Sequence, residues 1–280
     1  MCTLILGIEV LGPRTVLLAA NRDEDPARPA DPPLVLRGRP LVAGGRDRQA
    51  GGTWLALRGS HAAVAMLNRR PRGASRSEPG PAGPAVPGST VPPAGAPRSR
   101  GLLALDAAAA EAAGDEIPGA VLARAEALAS VGAGPPGETV YALFSLVVAS
   151  PAGCWLLTND GATPPHTRPI GPGWHVLTHE ELDDPREPRS AWLVRELAGW
   201  APASRAATEA RLTALLKLHA DEATPGSPAV CIHAGRMRTV SSALVWLAPG
   251  EAAYSHAEGP PCTASFVDYT SLLARGPDAI

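Results

Sequence analysis

The sequence predicts an α+β fold in which antiparallel β-hairpins alternate with helices. Three observations predict it. The chain opens on two β-rich runs, Thr3–Val10 and Arg14–Ala20, divided by Leu11-Gly12-Pro13. Paired short runs of the same kind recur twice more, with turn residues between them. Stretches of helical periodicity fall between these pairs. That order favours mainly antiparallel sheets covered by helices.

The elements follow in order. The first pair reads as a hairpin with a short loop. A polar, proline-studded stretch runs from Asn21 to Pro33. Short strands are expected at Leu34–Leu36 and Pro40–Val42. A second hairpin is expected at Thr53–Leu57 and Ala62–Leu67, around Arg58-Gly59-Ser60-His61. Residues 71–100 are dominated by Pro, Gly, Ala, Ser and Arg. Such a segment buries little apolar surface and reads as a long irregular loop, of the kind that is disordered or covers a site. Leu102–Ala113 and Gly119–Ser130 read as helices, and Ile117-Pro118 marks a helix start. Val140–Ala149 and Gly153–Thr158 form a third strand pair, and Trp174–Thr178 is a short strand. Arg189–Gly199 and Ser204–Leu218 are helical, with Leu212, Leu215, Leu216 and His219 on one face. Ala229–His233, Ser241–Ala248 and Ala252–Ala257 complete the strands. No repeat interrupts this order, and residues 1–280 read as a single domain.

Composition narrows the function. The hydrophobic fraction of 45% suits a globular protein with a substantial core. A net charge of −2 and the lack of a basic tract argue against a nucleic-acid surface. No apolar stretch approaches the ~20 residues of a membrane span. The run Leu4–Ile8 has no basic residue before it, so it does not read as a signal peptide. A cytoplasmic location is the expectation. Cys2, Cys154, Cys231 and Cys262 are scattered, with no C-x-x-C pair, and no histidine pair has metal-ligand spacing. The last three cysteines read as core or near-surface thiols in a reducing compartment. No metal is expected.

Cys2 directly follows the initiator Met1. Removal of Met1 would leave a thiol and a free α-amine on one residue. These groups titrate near ~8.5 and ~8, and together can form a nucleophile and its base. The competing reading of Cys2 is a small residue buried at the start of the first strand.

Four motifs follow it: Asn21-Arg22-Asp23-Glu24, Gly51-Gly52-Thr53-Trp54-Leu55, Leu67-Asn68-Arg69, and Leu177-Thr178 with Leu182-Asp183-Asp184-Pro185. A fifth, Thr239-Val240-Ser241-Ser242, precedes a late strand. In this combination and order the chain resembles the NRDE family, which includes the transport and Golgi organisation proteins. That family is similar to N-terminal nucleophile (Ntn) hydrolases that carry an N-terminal cysteine and cleave amides of acyl groups. The resemblance implies a four-layer αββα sandwich of two antiparallel sheets. It implies an N-terminal-cysteine amidohydrolase that cleaves the C–N bond of a small acylated amide. It also implies an alternative: a non-catalytic carrier engaged in haem trafficking or acyl-lipid homeostasis, with haem as the bound ligand in one version.

The candidate catalytic residues are Cys2, Arg22, Asp23 and Asn68. Cys2 would attack a carbonyl carbon, and a cation at Arg22 would favour its thiolate, giving a low-pKa thiol. Asp23 would bind the α-ammonium or orient Arg22. Asn68 would donate its amide to a developing oxyanion. Gly52, Thr53, Trp54, His179 and Arg238 are the candidate substrate-binding residues. Gly52 allows a close backbone approach, to a ligand or to a neighbouring strand. His179 stands where the family commonly has Asn. Val240 stands where it commonly has Arg, with Arg238 two residues earlier. The expected partner is a small-molecule substrate or ligand.

Overall fold

The computed structural model describes residues 2–71, 98–130 and 140–274. The irregular loop expected at 71–100 lies outside them except for its ends. β1 (Thr3–Ile8) and β2 (Val16–Glu24) form the first hairpin. Every residue of β1 is buried. Its apolar side chains fall on both parities, Leu4, Leu6 and Ile8 on one face and Ile5 on the other. A strand without a polar face has to be covered on both sides.

Among the described residues the strands form two antiparallel sheets. One has seven strands in sequence order: β3 (Ala30–Arg37), β4 (Val42–Asp47), β5 (Leu55–Arg58), β6 (Ala62–Asn68), β7 (Phe144–Ser150), β8 (Gly153–Asn159) and β9 (His166–Ile170). The other has six, β1 and β2 joining β10 (Gly173–Leu177), β11 (Arg238–Ala248), β12 (Glu251–Ala257) and β13 (Val267–Asp268) in the order β10-β1-β2-β11-β12-β13.

Three apolar clusters set the layers. Between the sheets, Leu4, Leu6 and Leu18 meet Leu55, Leu57, Ala65 and Leu67. The outer face of the seven-stranded sheet packs Val64, Met66 and Leu146 against Leu103 of α1 (Arg100–Ala108) and Val121 of α2 (Ile117–Ser130). The outer face of the six-stranded sheet packs Ile5, Leu17 and Val176 against Leu193 of α3 (Pro188–Leu197) and Leu212 of α4 (Arg205–Leu216). The order is helix, sheet, sheet, helix, which is the αββα sandwich.

Four local expectations change. β2 does not stop before the tetrad at 21–24. β11 pairs with it as far as Glu24 and holds those polar residues in the ladder. Residues 229–233 form no strand, because the N–H groups of Val230 and Cys231 both donate to the Leu218 carbonyl and bend the chain. His219 lies beyond the end of α4, not on its apolar face. β9 was not expected. It is a half-exposed edge strand whose polar residues carry no apolar alternation.

Candidate active site

Strand register brings four residues into one row. Leu4 pairs with Leu177 and Thr3 with Asn21, so continuing the first register by two steps and the second by one places Cys2 opposite His179 on one side and Arg22 on the other. Arg22 in turn pairs with Ser241 of β11. The row across the end of the sheet is therefore Ser241, Arg22, Cys2, His179. Cys2, Arg22 and Ser241 line a narrow cleft between the sheets, with Leu4, Ala20 and Ala243 from their own sheet and Trp54, Leu55, Ala65 and Leu67 from the other. The walls are mostly apolar and the polar groups collect at the row.

Alternation along β2 divides the tetrad between two faces. Arg22 faces the cleft. Asn21 and Asp23 face the helices. Asn21 Nδ2 donates to the carbonyls of Leu216 (2.9 Å) and Val230 (3.0 Å), and its Oδ1 accepts from Ser242 Oγ at 2.6 Å. Asp23 accepts from Thr239 Oγ1 at 2.7 Å and from Arg189 Nη1 at 3.2 Å. Burial raises the Asp23 pKa, against the opposing pull of Arg189. Arg189 Nη1 also donates to Thr3 Oγ1 at 2.7 Å. Asp23 therefore does not orient Arg22. Glu24, two residues along on the Arg22 face, has that place, with Oε2 3.7 Å from Arg22 Nη2.

The Arg22 guanidinium is held from the other sheet as well, 4.3 Å from the ring centroid of Trp54. The Trp54 ring lies over Gly45, where a Cβ would come within 2.5 Å of it. Cys2 is half-buried and packs against the inter-sheet core. Burial is the main influence on its thiol and raises the pKa. The charge of Asp23 adds to that, while Arg22 and a hydrogen bond from the Asp23 backbone oppose it. In the chain that retains Met1, desolvation thus outweighs the nearby positive charge of the N-terminal amine and of Arg22; the low-pKa thiol expected from the sequence belongs to the chain without Met1.

His179 is buried, and burial with the charges of Arg70 and Arg189 pushes its pKa down to about 3. The imidazole is therefore neutral at pH 7. Among the described residues its Nδ1 is buried without a hydrogen-bond partner, and so is Ser241 Oγ. Two unengaged polar atoms thus flank Arg22 and Cys2. Val240, at the position of the common family arginine, is the extra residue of a β-bulge between Thr239 and Ser241.

Besides Asp23 and His179, four further candidates do not line the cleft. A Cβ on Gly52 would meet the Gly101 carbonyl carbon at 2.2 Å, so the close approach it allows is to the first turn of α1. Thr53 Oγ1 donates to the Leu55 carbonyl at 2.9 Å and closes its own turn. Asn68 is exposed at the end of β6, on the parity of Val64 and Met66, which pack towards the helices. Arg238 is exposed at the start of β11, where its Nε donates to the Gly235 carbonyl at 3.1 Å. The neighbour of Asn68 is the anchored residue: Arg69 Nη1 reaches Ser145 Oγ and the Glu180 carbonyl, its Nη2 bonds Glu181, and the Arg70 N–H donates to the His179 carbonyl.

The family model described as "Transport and Golgi organisation 2" matches residues 1–254. The chain belongs to that family. No curated protein matches it. Among solved structures it is similar to the Caenorhabditis elegans N-acylethanolamine-hydrolyzing acid amidase ortholog, at 13% identity and TM-score 0.48, covering 89% of this chain and 94% of that one. It is also similar to a variant of the conjugated bile acid hydrolase of Clostridium perfringens, at 11% identity and TM-score 0.47, covering 97% and 93%.

In this member of the transport and Golgi organisation 2 family, three site residues lacked a clear signal in the sequence. Arg189 opens α3, and only the turn that precedes it shows why it arrives at Asp23: Asp183 accepts from the Val176 N–H and from His175 Nδ1, both at 2.7 Å. Ser241 belongs to a quoted motif, but only the bulge turns it to the cleft. His256 pairs with Ala243, a cleft residue, and burial, with Arg22 adding to it, lowers its pKa to about 4. A second convergence was also missed. His219, Cys231, His233 and Cys262 bring one ligand atom each to within 4.8 Å of one another. The close spacing of Cys231 and His233 was its only sequence trace.

Proposed function

We propose that the protein is an N-terminal-cysteine amidohydrolase that cleaves a small acylated amide through Cys2 after removal of Met1. The row of Ser241, Arg22, Cys2 and His179 at the polar end of an apolar cleft carries this reading. Loss of Met1 puts an α-amine on Cys2. The thiol sulfur attacks the amide carbonyl carbon and its proton passes to that amine, directly or through one water. The C–N bond breaks, the leaving amine takes the proton, and the acyl group stays on sulfur as a thioester. Water then cleaves the thioester to release the acid and restore the thiol. Arg22, fixed by Trp54 and Glu24, offsets negative charge as the thiol proton leaves. His179 and Ser241 supply neutral donors to the oxyanion, and the cleft walls take the acyl chain.

The raised thiol pKa is consistent with this scheme. A neutral thiol is stable in the unprocessed chain, and the base arrives only with processing. Intact-mass measurement of the purified protein and exposure to a panel of acylated amides test the reading. Loss of Met1, with an acyl-enzyme that forms in wild type and is absent in Cys2→Ala, is the expected outcome. Retained Met1 would sink the mechanism.

A second reading is favoured by the apolar walls and the neutral thiol. The cleft would then hold an acyl lipid or haem without turnover, as a carrier within the cytoplasm, Cys2 or a histidine contacting haem iron. Haem titration followed at the Soret band separates the two, since no spectral change at micromolar haem removes the haem version.

A further inference from the structure

We propose that His219, Cys231, His233 and Cys262 bind one structural zinc ion. The observation is geometric. Cys231 Sγ lies 3.7 Å from Cys262 Sγ, and His233 Nε2 lies 3.5 Å from Cys231 Sγ and 3.1 Å from Cys262 Sγ. A tetrahedral zinc with Zn–S near ~2.3 Å and Zn–N near ~2.05 Å has edges of about 3.8 Å between sulfurs and about 3.6 Å between sulfur and nitrogen. Two of the three measured edges match within 0.1 Å, and the third is short. The His219 ring completes the set, its centroid 5.0 Å from that of His233.

The orientation of His219 is a second, independent observation. Its Nδ1 lies 3.1 Å from Glu222 Oε2, and its Nε2 is buried without a partner among the described residues. A carboxylate on one ring nitrogen fixes the tautomer and turns the other nitrogen towards a metal. Glu222 Oε2 is itself held by the His219 N–H at 2.8 Å. A disulfide between Cys231 and Cys262 would use neither imidazole. It would also require the sulfurs to close to ~2.05 Å.

Two thiolates and two imidazoles make a closed, four-coordinate site of the structural kind, with no position left for substrate. Binding converts two thiols to thiolates and releases two protons for each zinc bound. His233 is exposed, which leaves an entry path.

The zinc ties three segments that sequence separates: the end of α4, the bend at 229–233, and the turn after β12. The bend is the segment that serves Cys2's neighbours. Val230 O accepts from Asn21, and the Ile232 N–H donates at 2.9 Å to Thr239 Oγ1, which donates to Asp23. The site is distinct from the cleft, and the inference does not depend on amide hydrolysis.

The test is metal analysis of the full-length protein purified under reducing conditions, with titration of the metal-free protein by Zn2+ and Co2+. Expected are one zinc per chain, two protons released per zinc, and with Co2+ the visible bands and sulfur charge-transfer band of a tetrahedral dithiolate site. The double variant Cys231→Ser/Cys262→Ser loses the binding. Glu222→Gln, which leaves all four ligands in place, weakens zinc binding ~10–100-fold and keeps the Co2+ spectrum at saturation. Absence of stoichiometric zinc in folded wild type, a Cys231–Cys262 disulfide in reduced preparations, or a Co2+ spectrum without sulfur charge transfer would each overturn the proposal. The wild-type measurements decide the matter even if the double variant fails to fold.

Discussion

Arg22 and Trp54 meet across the two sheets, guanidinium to ring centroid at 4.3 Å. The contact fixes the only charged side chain among the described residues that line the cleft. A partly desolvated cation–π pair is worth roughly 0.5–2 kcal/mol. Trp54→Ala should therefore slow acylation of Cys2 by about 2–30-fold, and Trp54→Phe by less. Stopped-flow labelling with an acyl-transferring probe checks this. Equal rates in all three proteins would remove Trp54 from the site.

Arg189 and Asp23 are a buried ion pair, with side-chain exposures of 8% and 0%. Removing one partner of such a pair leaves an uncompensated charge and costs about 3–5 kcal/mol. Arg189→Met should lower unfolding free energy by that order, and Arg189→Lys by less, because the ammonium keeps a positive charge opposite Asp23 although it loses the two-partner fork. Urea denaturation measures both.

Gly52 faces backbone, not solvent. The Cβ of Gly52→Ala would collide with the Gly101 carbonyl carbon, which belongs to α1 and cannot rotate away. The expected loss is about 1–3 kcal/mol. Gly51, at φ +71°, has nothing within 4 Å of its would-be Cβ, so strain alone sets the cost of Gly51→Ala, and the loss should be smaller. Denaturation midpoints of the two variants order them.

Two buried histidines set an acid limit on stability. Their folded pKa values, about 3 for His179 and about 4 for His256, lie below the unfolded value near 6.5. Unfolding therefore takes up protons at acid pH. The stability is complete above pH ~6.5 and is lost as pH falls from there towards 3–4, with a slope of about 2.5 kcal/mol per pH unit near pH 5. Arg70 and Arg189 beside His179, and Arg22 beside His256, act in the same direction. A thermal melt series from pH 8 to 4 tests this, and a His256→Gln variant should flatten the curve.

His179 offers a neutral imidazole where the resemblance leads one to expect an amide. His179→Asn should retain turnover within about tenfold, because one neutral donor replaces another. His179→Ala should lose about 10²–10³ in kcat if that donor serves the oxyanion. The ratio of the two kcat values is the measurement, and equal losses would assign His179 to packing alone.

Much of the strand pattern was legible, because β1, β2, β5 and β6 carry continuous apolar residues that only a doubly covered sheet can bury. Cys2, Arg22 and Trp54 were also legible as candidates, since each belongs to a motif at or near a strand end. What could not be read was facing. Whether Asp23 looks towards Arg22 or away from it depends on a ladder that β11 extends by several residues, and β11 lies more than two hundred residues downstream. Gly52 and Thr53 carry motif residues whose work is to let α1 approach and to close a turn. Arg189 and the four ligands at 219, 231, 233 and 262 meet through tertiary packing alone. No periodicity marks such meetings.

The bulge at Val240 has a consequence of its own. A residue outside the ladder can change size or charge without turning Thr239 or Ser241 to the wrong face. Position 240 is thus a free slot beside a fixed frame. A substitution there leaves Thr239 opposite Asp23 and Ser241 opposite Arg22 in the ladder.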